Sequence, residues 1–226
     1  MNAQDDHVPE YVLTDVEGTL TAGAMWRAIG RRLSAGDTRG PYRRFMLLSL
    51  PGVLAARLRV IDSQTYKNHW LEKQASLLTG STTADIEELA EWVVDHELQP
   101  QLRPAVLEEL AEHSAGGRRV VLASGMYEQV LTALARRLPF SPVDILGTPL
   151  QSEGGRFTGS FAAPVCVAAE KARRSRAHVG DGIIRAAYGD TDSDTLMLEL
   201  SIRPVAVHPD RRLARIATAR GWRIIS

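Results

Sequence analysis

The 226-residue sequence has a single cysteine, Cys166, so an internal disulfide is excluded and a reducing compartment is suited. It has no net charge. Lys plus Arg and Asp plus Glu each number 27, which argues against general nucleic-acid binding driven by a basic excess. Long apolar runs are missing too. The most apolar stretch, Phe45 to Ala56, is too short to span a bilayer and contains Pro51. None of the six histidines has the spacing of a metal site. Met1 to His7 is polar and acidic and lacks the basic-then-apolar pattern of a secretory signal. There are no internal repeats or low-complexity segments. These absences leave a cytoplasmic globular protein as the expectation. With 44% apolar and 24% charged residues, its composition is ordinary for one large domain or a core with an insertion.

Charge is balanced but unevenly placed. From Arg27 to Val60 there are eight arginines and one acid, Asp37; from Asp85 to Glu112 there are nine acids and one arginine, Arg103. Two solvated helix faces that attract each other would account for this. The alternative is a basic surface near an anionic substrate or membrane. Arg39, Arg43, Arg44, Arg57 and Arg59 surround the Phe45 to Ala56 stretch, so a phospholipid or membrane contact, or a dimer contact, is the minor reading of that segment.

Val8 to Thr14 is β-branched and apolar with no helical period, which predicts a buried strand. Residues 24–98 predict about four helices and no strand: Ala24 to Ser34, two pieces within Tyr42 to Val60 broken near Pro51-Gly52, Ser63 to Thr79, and one starting at Thr82. Strand and helix then alternate. Strands are expected at Arg118 to Ala123, Val143 to Gly147, Ile184 to Tyr188 and Pro204 to Val207. Helices are expected at Arg103 to Ser114, Tyr127 to Leu138, Ala168 to Ala177, Asp194 to Leu200 and Arg211 to Arg220. Ser152-Glu153-Gly154-Gly155 signals a hairpin between Pro149 to Gln151 and Arg156 to Phe161. Alternation of this kind implies an α/β fold, a parallel sheet flanked by helices, with ligands outside the carboxyl ends of the strands.

The carboxylates sit at those ends. Asp15 closes the first strand, where it would attack phosphorus or serve as a turn residue. Asp190 and Asp194 follow the strand ending at Gly189. A carboxylate cluster there suits magnesium, although Asp194 equally suits a helix cap, and Asp192 suits capping or support. Ser124 with the Gly125 amide forms either a phosphate cradle at a helix start or an ordinary N-cap. Lys171 either neutralises phosphate and the attacking carboxylate or lies on the surface. Gly180-Asp181-Gly182 reads as a tight turn, and Cys166 as a buried structural thiol.

In this order and spacing the chain resembles the haloacid dehalogenase superfamily. Asp15-Val16-Glu17-Gly18-Thr19 matches its first motif, Ser124 its second, Lys171 its third, and Gly189-Asp190 with Asp194 its fourth. Leu146-Gly147-Thr148-Pro149, Gly155-Arg156-Phe157-Thr158-Gly159, and Arg203 to Val207 through Gly221-Trp222 look like the phosphoserine-phosphatase-like branch, subfamily IB. The resemblance implies a Rossmann-like core at 8–23 and 99–226 and an inserted helical C1 cap at 24–98. It implies an aspartyl-phosphate on Asp15, with Glu17 as acid and base. Phosphate would be held by Ser124, Gly125 and Lys171, and Mg2+ by Asp15, the Glu17 main-chain carbonyl, Asp190 and, in support, Asp194. The expected activity is a magnesium-dependent phosphomonoesterase acting on a small phosphorylated metabolite. The alternatives are a phosphotransferase or mutase with the same intermediate, or a non-catalytic binding protein on the same fold.

Three positions depart from the family pattern. Glu17 replaces the usual second aspartate, as in the enolase-phosphatase branch, and its extra methylene moves the carboxyl by about a bond length. Ser193 replaces the usual asparagine before the final aspartate. Ala24 stands where phosphoserine phosphatases place a substrate-binding glutamate, so phosphoserine itself is not the expected substrate. Substrate identity and oligomeric state have no readable code in the chain.

Overall fold

The computed structural model describes residues 8–35, 39–57 and 63–226, with only the backbone described for 50, 53–57 and 63–67. Arg59, Asp37 and the Met1 to His7 segment lie outside the described residues.

Strand β1 (Glu10–Thr14) is the centre of the molecule. Its side chains alternate between two buried layers. Val12 joins one core with Val120, Leu122, Ala186 and Tyr188, while Tyr11 and Leu13 join a second with Val121, Ala123, Ile184 and Ala187. Each fully buried Val or Leu contributes about 1.5–3 kcal/mol, which is why this strand is an apolar run without helical period. β2 (Arg119–Tyr127) and β6 (Ile183–Gly189) flank it in parallel, with Thr14 opposite Leu122 on one side and Tyr188 on the other. β3 (Val143–Thr148), β7 (Arg203–Val207) and β8 (Arg223–Ile225) extend the sheet to six strands in the order β3-β2-β1-β6-β7-β8, all pairs parallel. The expected Rossmann-like sheet is present.

Helices cover both faces. α5 (Pro104–Ala115) and α6 (Glu128–Ala135) place Val106, Leu110, Leu131 and Leu134 in the first core. α7 (Ala168–Val179), α8 (Thr195–Leu198) and α9 (Arg211–Arg220) place Val179, Met197, Leu198 and Leu213 in the second. Asp210 starts α9 by accepting from the Arg212 and Leu213 amides, and Gly221 ends it at φ +65°.

Between β1 and β2 the chain forms α1 (Met25–Leu33), α2 (Arg39–Arg57), α3 (Ser63–Ser76) and α4 (Thr83–Val93), the last opened by a reciprocal Thr82–Asp85 capping box. A π turn, Val94–Leu98, and a 3-10 turn, Gln99–Gln101, carry the chain back. Outgoing and returning segments are tied together. The Thr21 hydroxyl donates to the Leu98 carbonyl at 2.8 Å, and the Ala22 amide to the Gln101 carbonyl at 2.9 Å. The hairpin forms as β4 (Leu150–Glu153) and β5 (Arg156–Phe161), and β5 packs against α3.

Three elements differ from the sequence expectation. α2 runs unbroken through Pro51. The carbonyl four residues back, which proline leaves without its donor, belongs to exposed Leu47, where solvent replaces the lost bond. β2 extends to Tyr127, because Tyr127 pairs with Thr148 of β3. β8 has only three residues and gave no signal, yet it pairs along β7.

Candidate active site

The register of the three central strands builds the site. Asp15 follows Thr14, Ser124 lies two residues past Leu122, and Asp190 two past Tyr188, so the register brings all three to one end of the central strands. The Asp15 amide donates to the Tyr188 carbonyl at 2.9 Å, which extends the β1–β6 ladder to Asp15.

Lys171 is the hub. It projects from the first turn of α7 and is buried, with Nζ 2.7 Å from Asp15 Oδ1 and 2.6 Å from Asp194 Oδ1. Burial alone would push its ammonium down. The charges of Asp15 and Asp194, and its hydrogen bonds to both, override that and hold it above the usual lysine range. Ala168, which opens α7, has φ +47°, a left-handed conformation that costs an alanine about 1–2 kcal/mol.

The other Asp194 oxygen accepts from the Asp190 and Thr191 amides at 3.2 and 3.1 Å. Asp194 therefore caps its turn with one oxygen, as the capping reading expected, and grips Lys171 with the other. Thr19 bridges the remaining pair, 3.4 Å from Asp15 Oδ2 and 3.3 Å from Asp190 Oδ1. Burial, then the charges of Asp15 and Asp194, push the Asp190 carboxyl up to about 8. Burial also raises Asp15, partly offset by Lys171. Asp15, Asp190 and Asp194 bring carboxylate oxygens within 4.8 Å of one another. Fully ionised, the three carboxylates against one ammonium would carry two negative charges in a buried place, which one divalent cation would balance. An all-oxygen donor set suits a hard ion such as magnesium.

Gly18 is indispensable to this packing. It has φ +92°, and a Cβ there would strike the Asp190 carboxylate. The Glu17 side chain stands apart from the three-carboxylate group. Its Oε2 accepts from the Met25 amide at 3.2 Å, at the start of α1. Ser124 is buried near the end of β2. It is not at a helix N-terminus, as the sequence suggested, because α6 begins at Glu128 with Tyr127 as N-cap. The Thr148 hydroxyl donates to the Gly125 carbonyl at 2.8 Å and holds this segment extended.

Other positions have structural duties. Asp192 pairs with Arg212 at 3.0 Å, away from the site. Gly180 ends α7 with φ +58°. Cys166 is buried, and burial pushes its thiol up to about 11, so it is unreactive at neutral pH. A cavity of about 1100 Å³ lies beside the starting ends of β7 and β8. Among its lining charges, Arg223 pairs with Glu109 and Arg220 with Glu199, and none of the strand-end carboxylates lines it. The basic segment divides. Arg32 pairs with Glu88, and Arg27 and Arg31 with Glu97, whereas exposed Arg39, Arg43 and Arg44 have no ion pair among the described residues. Beside them on α2, Met46, Leu47 and Leu48 are exposed, while Phe45 packs on Trp70.

Sequence reasoning passed over Thr19, although it lies inside the first motif. It also gave no role to Thr191, whose amide and hydroxyl hold Asp194, or to Glu97, which has no local signal at all.

Residues 12–199 match the haloacid dehalogenase-like hydrolase family. Protein CicA of Caulobacter vibrioides is 32% identical over 213 residues, covering 89% of this chain and 87% of that protein. Phosphoserine phosphatase SerB1 of Mycobacterium tuberculosis is 27% identical over 235 aligned positions, 98% of this chain and 74% of that protein. A crystal structure of a protein with unknown function from Bordetella pertussis Tohama I superposes with a TM-score of 0.76 at 22% identity, covering 97% of this chain and 99% of that one. The chain belongs to the haloacid dehalogenase-like hydrolases.

Proposed function

We propose that the chain is a cytoplasmic, magnesium-dependent phosphomonoesterase that hydrolyses a small phosphorylated metabolite through an aspartyl-phosphate on Asp15. The observation that carries this reading is the buried Lys171 ammonium between the Asp15 and Asp194 carboxylates, with Asp190 beside them. A nucleophilic carboxylate must meet an anionic phosphate, and fixed positive charge at that point lowers the barrier.

In the first step an Asp15 oxygen attacks phosphorus. The bond to the ester oxygen breaks with its electron pair, and that oxygen takes the proton of the Glu17 carboxyl. In the second step the Glu17 carboxylate takes a proton from water as the water oxygen attacks the aspartyl-phosphate. Inorganic phosphate and the Asp15 carboxylate are released. Lys171, the Ser124 hydroxyl and the Gly125 amide hold the phosphate oxygens. Magnesium, when bound, neutralises charge on the nucleophile and phosphate; Asp15, Asp190 and the Glu17 main-chain carbonyl would hold it. Asp194 supports from behind, since its own oxygens are taken by Lys171 and backbone amides. Residues 24–98 act as a cap over the core formed by 8–23 and 99–226, and exclude bulk water.

A phosphotransferase or mutase would share every step but the acceptor. A non-catalytic binding protein would have no need for Asp15, Lys171 and Asp190 together. Magnesium-dependent phosphate release from an aryl phosphate tests the reading. Wild type turns over, and Asp15→Asn does not. Inactivity of wild type across a broad phosphate-ester panel with magnesium present refutes it.

The exposed arginines beside Met46, Leu47 and Leu48, without an ion pair among the described residues, favour a second reading of the substrate: an amphiphilic phosphate ester met at an anionic surface. Salt-sensitive co-sedimentation with phosphatidylglycerol vesicles, reduced in Arg43→Ala/Arg44→Ala, supports it. No binding by wild type removes it.

A further inference from the structure

We propose that Glu97 is a positioning residue for Glu17, acting through the first turn of α1. The inference rests on the reading of Glu17 as proton carrier.

Two successive amides open α1. The Ala24 amide donates to Glu97 Oε1 at 3.0 Å, and the Met25 amide donates to Glu17 Oε2 at 3.2 Å. The helix has no side-chain cap of its own at Ala24 and no acid in its first turn. Its positive end is therefore served by two carboxylates from outside. Glu17 comes from the loop after β1. Glu97 comes from the π turn that returns the chain, 73 residues from its partner amide.

Glu97 is anchored on every side. Its side chain is only 4% exposed. Oε2 pairs with Arg31 at 2.6 Å, and Oε1 lies 3.3 Å from Arg27. Its own carbonyl accepts from Gln101 Nε2 at 3.0 Å. That carbonyl also presses on Gly23, where a Cβ would lie inside contact distance, so Gly23 allows the returning chain to approach. The loop carrying Glu17 is closed separately, by Gly18 amide to Thr21 carbonyl at 2.8 Å and Thr21 amide to Val16 carbonyl at 3.0 Å. One end of the Glu17–Met25 hydrogen bond is thus fixed by the loop, and the other by Glu97. Without Glu97, the Ala24 amide loses its acceptor, and the Thr21–Leu98 and Ala22–Gln101 bonds that remain hold the chain before the helix but not its first turn. The Met25 amide then no longer orients the Glu17 carboxyl, and a misplacement of about 1 Å costs a proton-transfer group about a hundredfold.

The consequence depends on the leaving group. An alkoxide leaving group needs the Glu17 proton, whereas a nitrophenolate departs without it. A defect in Glu17 placement therefore lowers kcat/KM for glycerol phosphate much more than for p-nitrophenyl phosphate. A purely structural defect lowers both alike. In Glu97→Ala we expect about a hundredfold loss on glycerol phosphate and under about fivefold on p-nitrophenyl phosphate. Glu97→Gln keeps the acceptor for Ala24 but loses the charge that holds Arg31. It should show the same selectivity at about tenfold, and it serves if the alanine variant fails to fold. Glu88→Ala, which removes the exposed Arg32 pair on the same helix, should leave both substrates unchanged. Glu17→Gln should reproduce the Glu97→Ala pattern. If Glu17→Gln is selective and the Glu97 variants are not, the positioning role falls alone. If Glu17→Gln is itself unselective, the proton-carrier reading falls and takes this inference with it.

Discussion

Replacing Lys171 with methionine tests the centre of the site without any assumption about substrate. The change keeps an unbranched apolar stem, one atom shorter, and deletes the charge. Lys171 and its two partners are buried, with side-chain exposures of 3% for the lysine and 8% and 1% for Asp15 and Asp194. Deleting one member of a buried ionic cluster strands the others, and such deletions cost about 3–5 kcal/mol. In a chain of 226 residues each kcal/mol moves Tm by about 2–4 °C. The expected fall is therefore about 6–20 °C, measured by scanning calorimetry at pH 7 in EDTA so that no metal substitutes for the ammonium. Arg173→Met is the control two residues along α7. Its ion pair with Glu170 is 2.7 Å long, but the arginine side chain is 67% exposed, so the loss should stay within about 1 kcal/mol. If Lys171→Met melts no lower than Arg173→Met, the ammonium does not hold the carboxylates together, and the electrostatic account of the site is wrong.

Two further predictions separate site effects from backbone and titration effects. Gly18→Ala places a methyl on the Asp190 carboxylate at φ +92°, so turnover should fall at least about tenfold with the fold intact by circular dichroism. Gly80→Ala carries the same backbone penalty, at φ +86°, with open space around the new methyl; it should lose about 1–2 kcal/mol of stability and no activity. In Asp15→Asn/Asp190→Asn, which removes the two carboxyls whose upward shifts would add stability as pH falls, urea midpoints should fall as pH drops from 7 to 3.5. Burial would push the Glu97, Glu109 and Asp144 carboxyls up, but the Ala24 amide with Arg31, Arg223 with Tyr188, and Arg119 with His178 outweigh it and hold all three low. The unfolded chain binds those protons first, so their stabilisation is present above about pH 4.5 and lost below it. Burial and Arg118 keep His113 neutral in the fold, so its share is lost earlier, as pH falls below about 6.5. A flat midpoint over this range would contradict the sign of all four shifts.

What could be read from the chain follows physical scale. β1 was legible because both its faces are buried, so composition and the lack of helical period carry the signal. Asp15, Asp190 and Asp194 drew attention because they follow strand ends, and Lys171 because it stands near the start of a helix in the order of the family's motifs. The end of β2 was not legible. Ser124-Gly125 looks like a strand exit, and only the Thr148 hydroxyl and the pairing of Tyr127 with Thr148 keep it extended. Pro51 reads as a helix break when its exposure on α2 is unknown. Glu97 could not be found locally, because what defines it is an amide 73 residues away.

The central place of β1 also bears on how the protein is made. Thr19 meets Asp190 across 171 residues of chain, and Lys171 meets Asp15 across 156. At about 5–20 residues per second of synthesis, Asp15 leaves the ribosome roughly 8–35 s before its partners do. For that interval the apolar β1 has neither β6 beside it nor Lys171 above it. Helices α1 to α4 are complete first, so the nascent chain carries the inserted helical segment before the strand-end site can form. Activity arrives all at once, near the end of translation, when β6 closes against β1.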